Sequence, residues 1–260
     1  MSTRTPRRLA AGSVLLAAGL LLTACGQSAG GGDRTASPTT SDVRAQSGQS
    51  GRSAPRPQSE PAPEPRGIPG LGPKTRAQIP GSARQAIVVT GEGRDEGTGS
   101  AQRYRREGED WVPVGEAWPA HNAVKGWTDR HVQGDLRSPV GVFGLTDAGG
   151  HERDPGTELP YDTGPAFVAR GTNVEGEPLG DAFDYVVAIN YNRKPGTTPL
   201  DWTRPLGMGR GGGIWFHVDH GAPTQGCVTL PKPRMRELLT WLDEQSEPVV
   251  VMGDAASLAR

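Results

Sequence analysis

The stretch Ile214-Trp215-Phe216-His217-Val218-Asp219-His220-Gly221-Ala222-Pro223-Thr224-Gln225-Gly226-Cys227-Val228-Thr229-Leu230 decides how this chain is read. Its first five residues suit a strand, with Ile214, Phe216 and Val218 on one face and Trp215 and His217 on the other. Gly221 to Gly226 then form a glycine-bounded loop that delivers a cysteine. A chain reversal centred near Ala222 is expected to set His217 and Cys227 across the loop from each other. His220 sits inside that loop, where little orients it. Beyond Leu230, Pro233 is a suitable first helical residue. Met235, Leu238, Leu239 and Leu242 then recur at helical spacing, as one apolar stripe.

The chemistry of this stretch centres on Cys227. The chain has two cysteines, and the other, Cys25, lies far upstream in a segment of different character. A buried cysteine serving as a small hydrophobe is the plain alternative, but glycines and a nearby histidine suit a nucleophile better. A histidine beside a thiol can take its proton. Backbone N–H groups at Gly226 and Cys227 are expected to face a developing oxyanion, with Thr224 supporting the loop or bonding the substrate. Trp215, Arg210 and Gln225 are candidate substrate contacts. Zinc held by His217, His220 and Cys227 is an alternative, with Asp219 or His121 as a fourth ligand, although the usual ligand spacing is missing. His121, His131 and His151 fall in Gly/Asp-rich stretches and are expected to face solvent.

Around this stretch, short apolar runs alternate with Gly, Pro and Asp: 86–90, 111–114, 140–145, 166–169, 185–191, 214–218 and 248–252. That rhythm predicts a mainly β, antiparallel or mixed body with one clear helix. All the aromatic residues lie between Tyr104 and Trp241, so the core belongs to the C-terminal two-thirds. One domain is expected over 85–253, with 254–260 as a tail. This part carries a net charge of −8, which argues against a nucleic-acid partner.

The N-terminal third is different. Arg4, Arg7 and Arg8 precede the apolar run 9–22, which is too short to span a bilayer and suits a secretory signal peptide over 1–24. Leu22-Thr23-Ala24-Cys25 resembles a bacterial lipobox, which implies a lipid on Cys25 and a place on the extracytoplasmic face of the cell membrane. Residues 25–84 are rich in Gly, Ser, Pro and Arg, with Val43, Ile68, Leu71 and Ile79 as the sizeable aliphatic residues. They read as a disordered basic tether, and their +4 charge suits an anionic lipid surface.

Two motifs together carry a family resemblance. His217, followed by Thr224-Gln225-Gly226-Cys227-Val228-Thr229-Leu230 and an amphipathic helix, resembles the signature of the L,D-transpeptidase (YkuD-type) catalytic domain. The stretch Gly134-Asp135-Leu136-Arg137-Ser138-Pro139-Val140-Gly141-Val142-Phe143 is similar to that family's Gly-Asp-x-x-Thr-Pro-x-Gly-x-Phe piece. Three features depart from the pattern. The His-to-Cys gap is short, Gln225 stands where a second His is common, and Thr229 stands where Arg is common. Arg210 or Arg234 is the candidate replacement for that arginine. The resemblance implies a β-sandwich-like mixed sheet and a monomeric, cofactor-free peptidoglycan enzyme. Its implied nucleophile is Cys227 and its base His217. Its reaction would be 3→3 cross-linking of stem peptides through a thioester. A hydrolase with the same acyl-enzyme, or a non-catalytic wall-binding lipoprotein of the same fold, is the alternative.

Overall fold

A computed structural model describes residues 67–260. The expected signal peptide, Cys25 and the tether up to residue 66 lie outside the described residues. Among the described residues no helix is long and apolar enough to cross a membrane.

Among the described residues, eleven strands and three short α-helices follow in chain order. They begin with α1 (Pro73–Arg76), β1 (Gln85–Gly91), β2 (Thr98–Glu107), β3 (Asp110–His121), β4 (Trp127–Thr128) and β5 (Ser138–Pro139). It continues through β6 (Gly141–Gly150), β7 (Tyr161–Thr163), β8 (Val186–Ile189), β9 (Trp215–Val218) and β10 (Val228–Leu230). Helix α2 (Lys232–Trp241), β11 (Val249–Asp254) and α3 (Ala255–Leu258) complete it. Nine strands form one mixed sheet in the order β11-β1-β2-β3-β10-β9-β8-β6-β7. A further pairing of β6 with β11 closes eight of them on themselves. The mainly β, mixed-sheet class expected from the sequence is the one observed.

The runs 86–90 and 248–252 read as continuously apolar because β1 and β11 are buried on both faces. Ile87, Val89, Val250 and Met252 enter the main core with the α2 stripe Met235, Leu238, Leu239 and Leu242. Ala86, Val88, Val249 and Val251 point the other way into a second core with Ile68, Leu71, Ala83, Tyr104 and Leu258.

That second core corrects both expected domain edges. Residues 67–84 are packed structure: Gly72 N–H donates to Leu258 O at 2.9 Å, and Arg84 N–H to Ser246 O at 2.7 Å. The expected tail carries α3, whose Ser257 N–H is capped by Asp254 Oδ1 at 3.0 Å.

Two strand readings change as well. The run 166–169 is no strand, because Gly164-Pro165 opens a 3-10 turn over Pro165–Phe167. Strand β2 went unread because it carries Gln102, Arg103, Arg105 and Arg106. One of these, Arg103, is buried, stacked 4.3 Å from the Trp118 ring and ion-paired with Glu237 at 2.5 Å.

Candidate active site

The expected reversal at Ala222 does not pair β9 with β10 as a hairpin. The two strands are parallel, with Phe216 opposite Val228 and His217 opposite Thr229. Residues 219–227 must therefore carry the chain back to the start of β9. They do so along the end of β3, where Thr224 N–H donates to Asn122 O and Val124 N–H to Thr224 O, both at 2.8 Å. The register brings Cys227 beside Trp215 and leaves His217 diagonal to it.

Cys227 and His217 line one cleft of about 180 Å³, together with His220, Thr224, Gln225, Gly226 and a wall that includes Asn173 and Phe183. The half-buried thiol donates to Gly213 O at 3.6 Å and accepts from the Trp215 backbone N–H. It makes no hydrogen bond to the imidazole in this state. Burial pushes the Cys227 thiol up to about 11 and His217 down to about 4. At neutral pH the pair is therefore a thiol and a neutral imidazole. His217 is 4% exposed, and its Nδ1 lies 2.9 Å from Val218 O. A carbonyl only accepts, so Nδ1 carries the hydrogen and Nε2 is the basic nitrogen. Phe183 stands edge-on to the His217 ring at 5.3 Å, and His220 stacks on it at 5.6 Å.

Thr224 organises the loop by two bonds. Its hydroxyl accepts the Gly226 N–H at 3.1 Å and donates to Cys227 O at 2.6 Å. The expectation that the Gly226 N–H serves an oxyanion is thereby corrected, because that donor is already used. A Cβ at 226 would stand 3.0 Å from Ile214 Cδ1, so the end of that side chain would have to give by a few tenths of an ångström.

The other candidates divide. Gln225 lines the cleft, whereas Trp215 and Arg210 are not among its lining residues. Trp215 packs against Phe183 at 5.2 Å and Phe167 at 6.3 Å. Arg210 ends a short 3-10 turn whose carbonyl accepts from the Tyr191 hydroxyl at 2.9 Å. Arg234 is no substitute for the missing arginine, because α2 holds it against Glu237 at 2.7 Å and Glu116 at 2.9 Å. At the position of that arginine, Thr229 donates to Asp219 Oδ1 at 2.8 Å, and the same oxygen faces His121 Nδ1 at 2.8 Å.

Two histidines expected in solvent are placed otherwise. His121 ends β3 in that contact, and its hydrogen bond to Asp219 raises its pKa. His131 is buried, with its Nδ1 3.0 Å from Asp135 Oδ1 and its ring edge-on to Tyr191 at 5.2 Å. His151 is exposed. Among the described residues no group of three or more His, Cys, Asp or Glu is arranged to hold a metal.

Sequence reasoning missed the residues that hold the thiol's surroundings in place. Gly213 O receives the thiol at the end of a long segment anchored by a buried pair, Arg193 Nη1 to Asp147 Oδ2 at 2.8 Å. Asn192 clasps the same segment through Gly207 O at 3.0 Å and Leu206 N–H at 2.7 Å. An Asn-Arg pair leading into a Gly-rich segment was the available signal.

Comparison with solved structures finds Bdellovibrio bacteriovorus Bd1075 at 17% identity and a TM-score of 0.37, covering 71% of this chain and 51% of that one. It also finds the helical cell shape determining protein Pgp2 from Campylobacter jejuni at 16% identity and a TM-score of 0.35, covering 66% and 48%. The chain thus spans about half the length of these solved proteins. No curated protein matches. The family model of the L,D-transpeptidase catalytic domain, YkuD, matches residues 81–251, a span that takes in His217, the Thr224–Cys227 loop and the Gly134–Phe143 stretch. The chain belongs to the YkuD family of L,D-transpeptidase catalytic domains.

Proposed function

We propose that this protein is a peptidoglycan L,D-transpeptidase that makes 3→3 cross-links. The observation that carries the reading is the shared cleft: a partly accessible Cys227 beside an imidazole whose tautomer is set for accepting a proton. As a donor stem enters, the thiol turns from Gly213 O toward His217 and gives up its proton. The sulfur adds to the carbonyl between residues three and four of the stem. The resulting tetrahedral oxyanion collapses to a thioester as His217 returns the proton to the departing D-Ala amine. The side-chain amine of a second stem then attacks the thioester. His217 takes that amine's proton and returns it to the sulfur, which leaves as the free thiol. This reading needs a neutral imidazole at rest, and burial keeps His217 neutral.

The proposal extends to location. The lipobox-like Leu22-Thr23-Ala24-Cys25 supports acylation of Cys25 and display on the extracytoplasmic face of the membrane, with the segment that follows as spacer. A Cys25→Ala variant should leave the membrane fraction; identical fractionation of the two forms removes this part of the reading.

Incubation with stem tetrapeptide, followed by mass analysis, tests the reaction. A cross-linked dimer is the expected product. Tripeptide alone points to hydrolysis, and unchanged substrate to a wall-binding protein.

A further inference from the structure

The catalytic loop rests on a residue from the other motif. Ser138 is fully buried at the start of β5, and its hydroxyl donates to Gly226 O at 2.9 Å. The Ser138 hydroxyl oxygen in turn accepts the Ala123 N–H at 3.0 Å. Ser138 N–H donates to Gly126 O at 2.8 Å, so the residue is held at both its backbone and its side chain.

The carbonyl that Ser138 holds belongs to the peptide unit whose N–H is that of Cys227. A trans peptide is planar, and its C=O and N–H point in opposite directions. A carbonyl tied to the buried Ser138 hydroxyl therefore turns the Cys227 N–H the other way, away from Ser138, in a loop whose Gly226 and Cys227 line the cleft. The neighbouring groups are already spent, since Thr224 takes the Gly226 N–H and bonds the Cys227 carbonyl. Of the two N–H groups expected at the oxyanion, those of Gly226 and Cys227, the Cys227 N–H is thus the one left for charge that develops on a carbonyl oxygen bound at the sulfur.

We infer that Ser138 is a positioning residue of the acyl-transfer reaction: by anchoring the Gly226 carbonyl it aims the Cys227 N–H at the oxyanion. The inference rests on Cys227 being the nucleophile, and it deepens the proposed function by assigning both the oxyanion donor and what orients it. It does not depend on which acyl donor or acceptor is natural.

The test compares two reactions of one thiol, in the full chain carrying Cys25→Ala so that Cys227 is the single cysteine. Acetylation by p-nitrophenyl acetate passes through a tetrahedral oxyanion: the sulfur adds to the ester carbonyl, nitrophenolate leaves, and His217 takes the thiol proton. Alkylation by iodoacetamide displaces iodide at a saturated carbon and forms no oxyanion.

Ser138→Ala should slow acetylation by about 10- to 100-fold while changing alkylation little. Ser138→Thr, which keeps the hydroxyl, should recover most of the acetylation rate. An equal fall in both reactions would mean that Ser138 acts on thiol reactivity or on folding in general, and overturns the inference; so does no fall in either.

A measurement on the chain with Ser138 intact covers the case in which the alanine variant does not fold. The acetyl thioester on Cys227 should show its carbonyl stretch at lower frequency in the folded protein than a simple alkyl thioacetate shows in an apolar solvent, where nothing donates to it. A frequency equal to that of the thioacetate would show that no N–H is aimed at that oxygen. Failure of the peptidoglycan reading appears elsewhere, as stem tetrapeptide left untouched by a chain that p-nitrophenyl acetate still acetylates with this Ser138 dependence.

Discussion

The Thr224 hydroxyl lies 2.6 Å from the carbonyl oxygen of Cys227 and takes up the Gly226 N–H at 3.1 Å, so one side chain closes the loop that presents the Cys227 thiol. Losing it leaves a donor and an acceptor without partners at a partly buried position. Thr224→Val, which keeps the shape, should lower stability by about 1–3 kcal/mol and slow acylation of Cys227. Thr224→Ser should restore both. Denaturant midpoints and acylation rates on the three forms check this.

The stacked histidines have unequal tasks. His217 is held by the Val218 carbonyl and buried, whereas His220 lies in the loop and packs on it face to face. His217→Asn should reduce acylation about 10²-fold or more; His220→Asn should cost far less. A larger loss at His220 would reassign the base.

The pH dependence has a definite sign. Free Cys227 is held up at about 11, so its alkylation should remain slow at pH 8 and climb as the pH approaches that value. His217 is held down at about 4, below its unfolded value of about 6.5, so the unfolded chain takes up a proton first as the pH drops. The stability contributed by a neutral buried His217 is complete above about 6.5 and is lost between there and about 4. His217→Asn should flatten that part of the stability profile, measured by urea midpoints between pH 4 and 8.

The Arg193–Asp147 pair should be the costliest polar contact to break. Both side chains are nearly inaccessible, at 3% and 4% exposure, and Asp147 also accepts the Gly196 N–H at 3.0 Å. Arg193→Ala strands a buried carboxylate, for an expected loss of about 3–5 kcal/mol. It should also loosen the segment leading to Gly213 and so alter thiol reactivity. Chemical denaturation, together with iodoacetamide kinetics, reads both effects.

Where the domain starts can be tested by truncation. Ile68 and Leu71 are buried against β1, β11 and α3. A chain of residues 85–260 should be less stable than one of 67–260 by roughly 3–6 kcal/mol, at the usual value of two buried aliphatic side chains. Equal urea midpoints would return residues 67–84 to the tether.

Much of the fold and the candidate nucleophile was legible along the chain, for local reasons. A continuous apolar run such as 248–252 reports a strand buried on both faces, and the stripe Met235, Leu238, Leu239 and Leu242 reports a helix with one buried face. Gly-Cys after a loop, with a histidine in the preceding strand, marked the candidate thiol. Pairing and hydrogen-bond ownership are different in kind. That β9 and β10 run parallel depends on Thr224 being stitched to residues 122–124. That the Gly226 N–H is spent, and the Gly226 carbonyl is held by Ser138 from 88 residues away, depends on which groups the closed sheet brings together. The burial of residues 67–84 was hidden for the same reason. Ile68, Leu71 and Ile79 stand scattered among Gly, Pro and Arg, with too little apolar content for a core of their own, and they gain one only on the face that β1 and β11 turn outward.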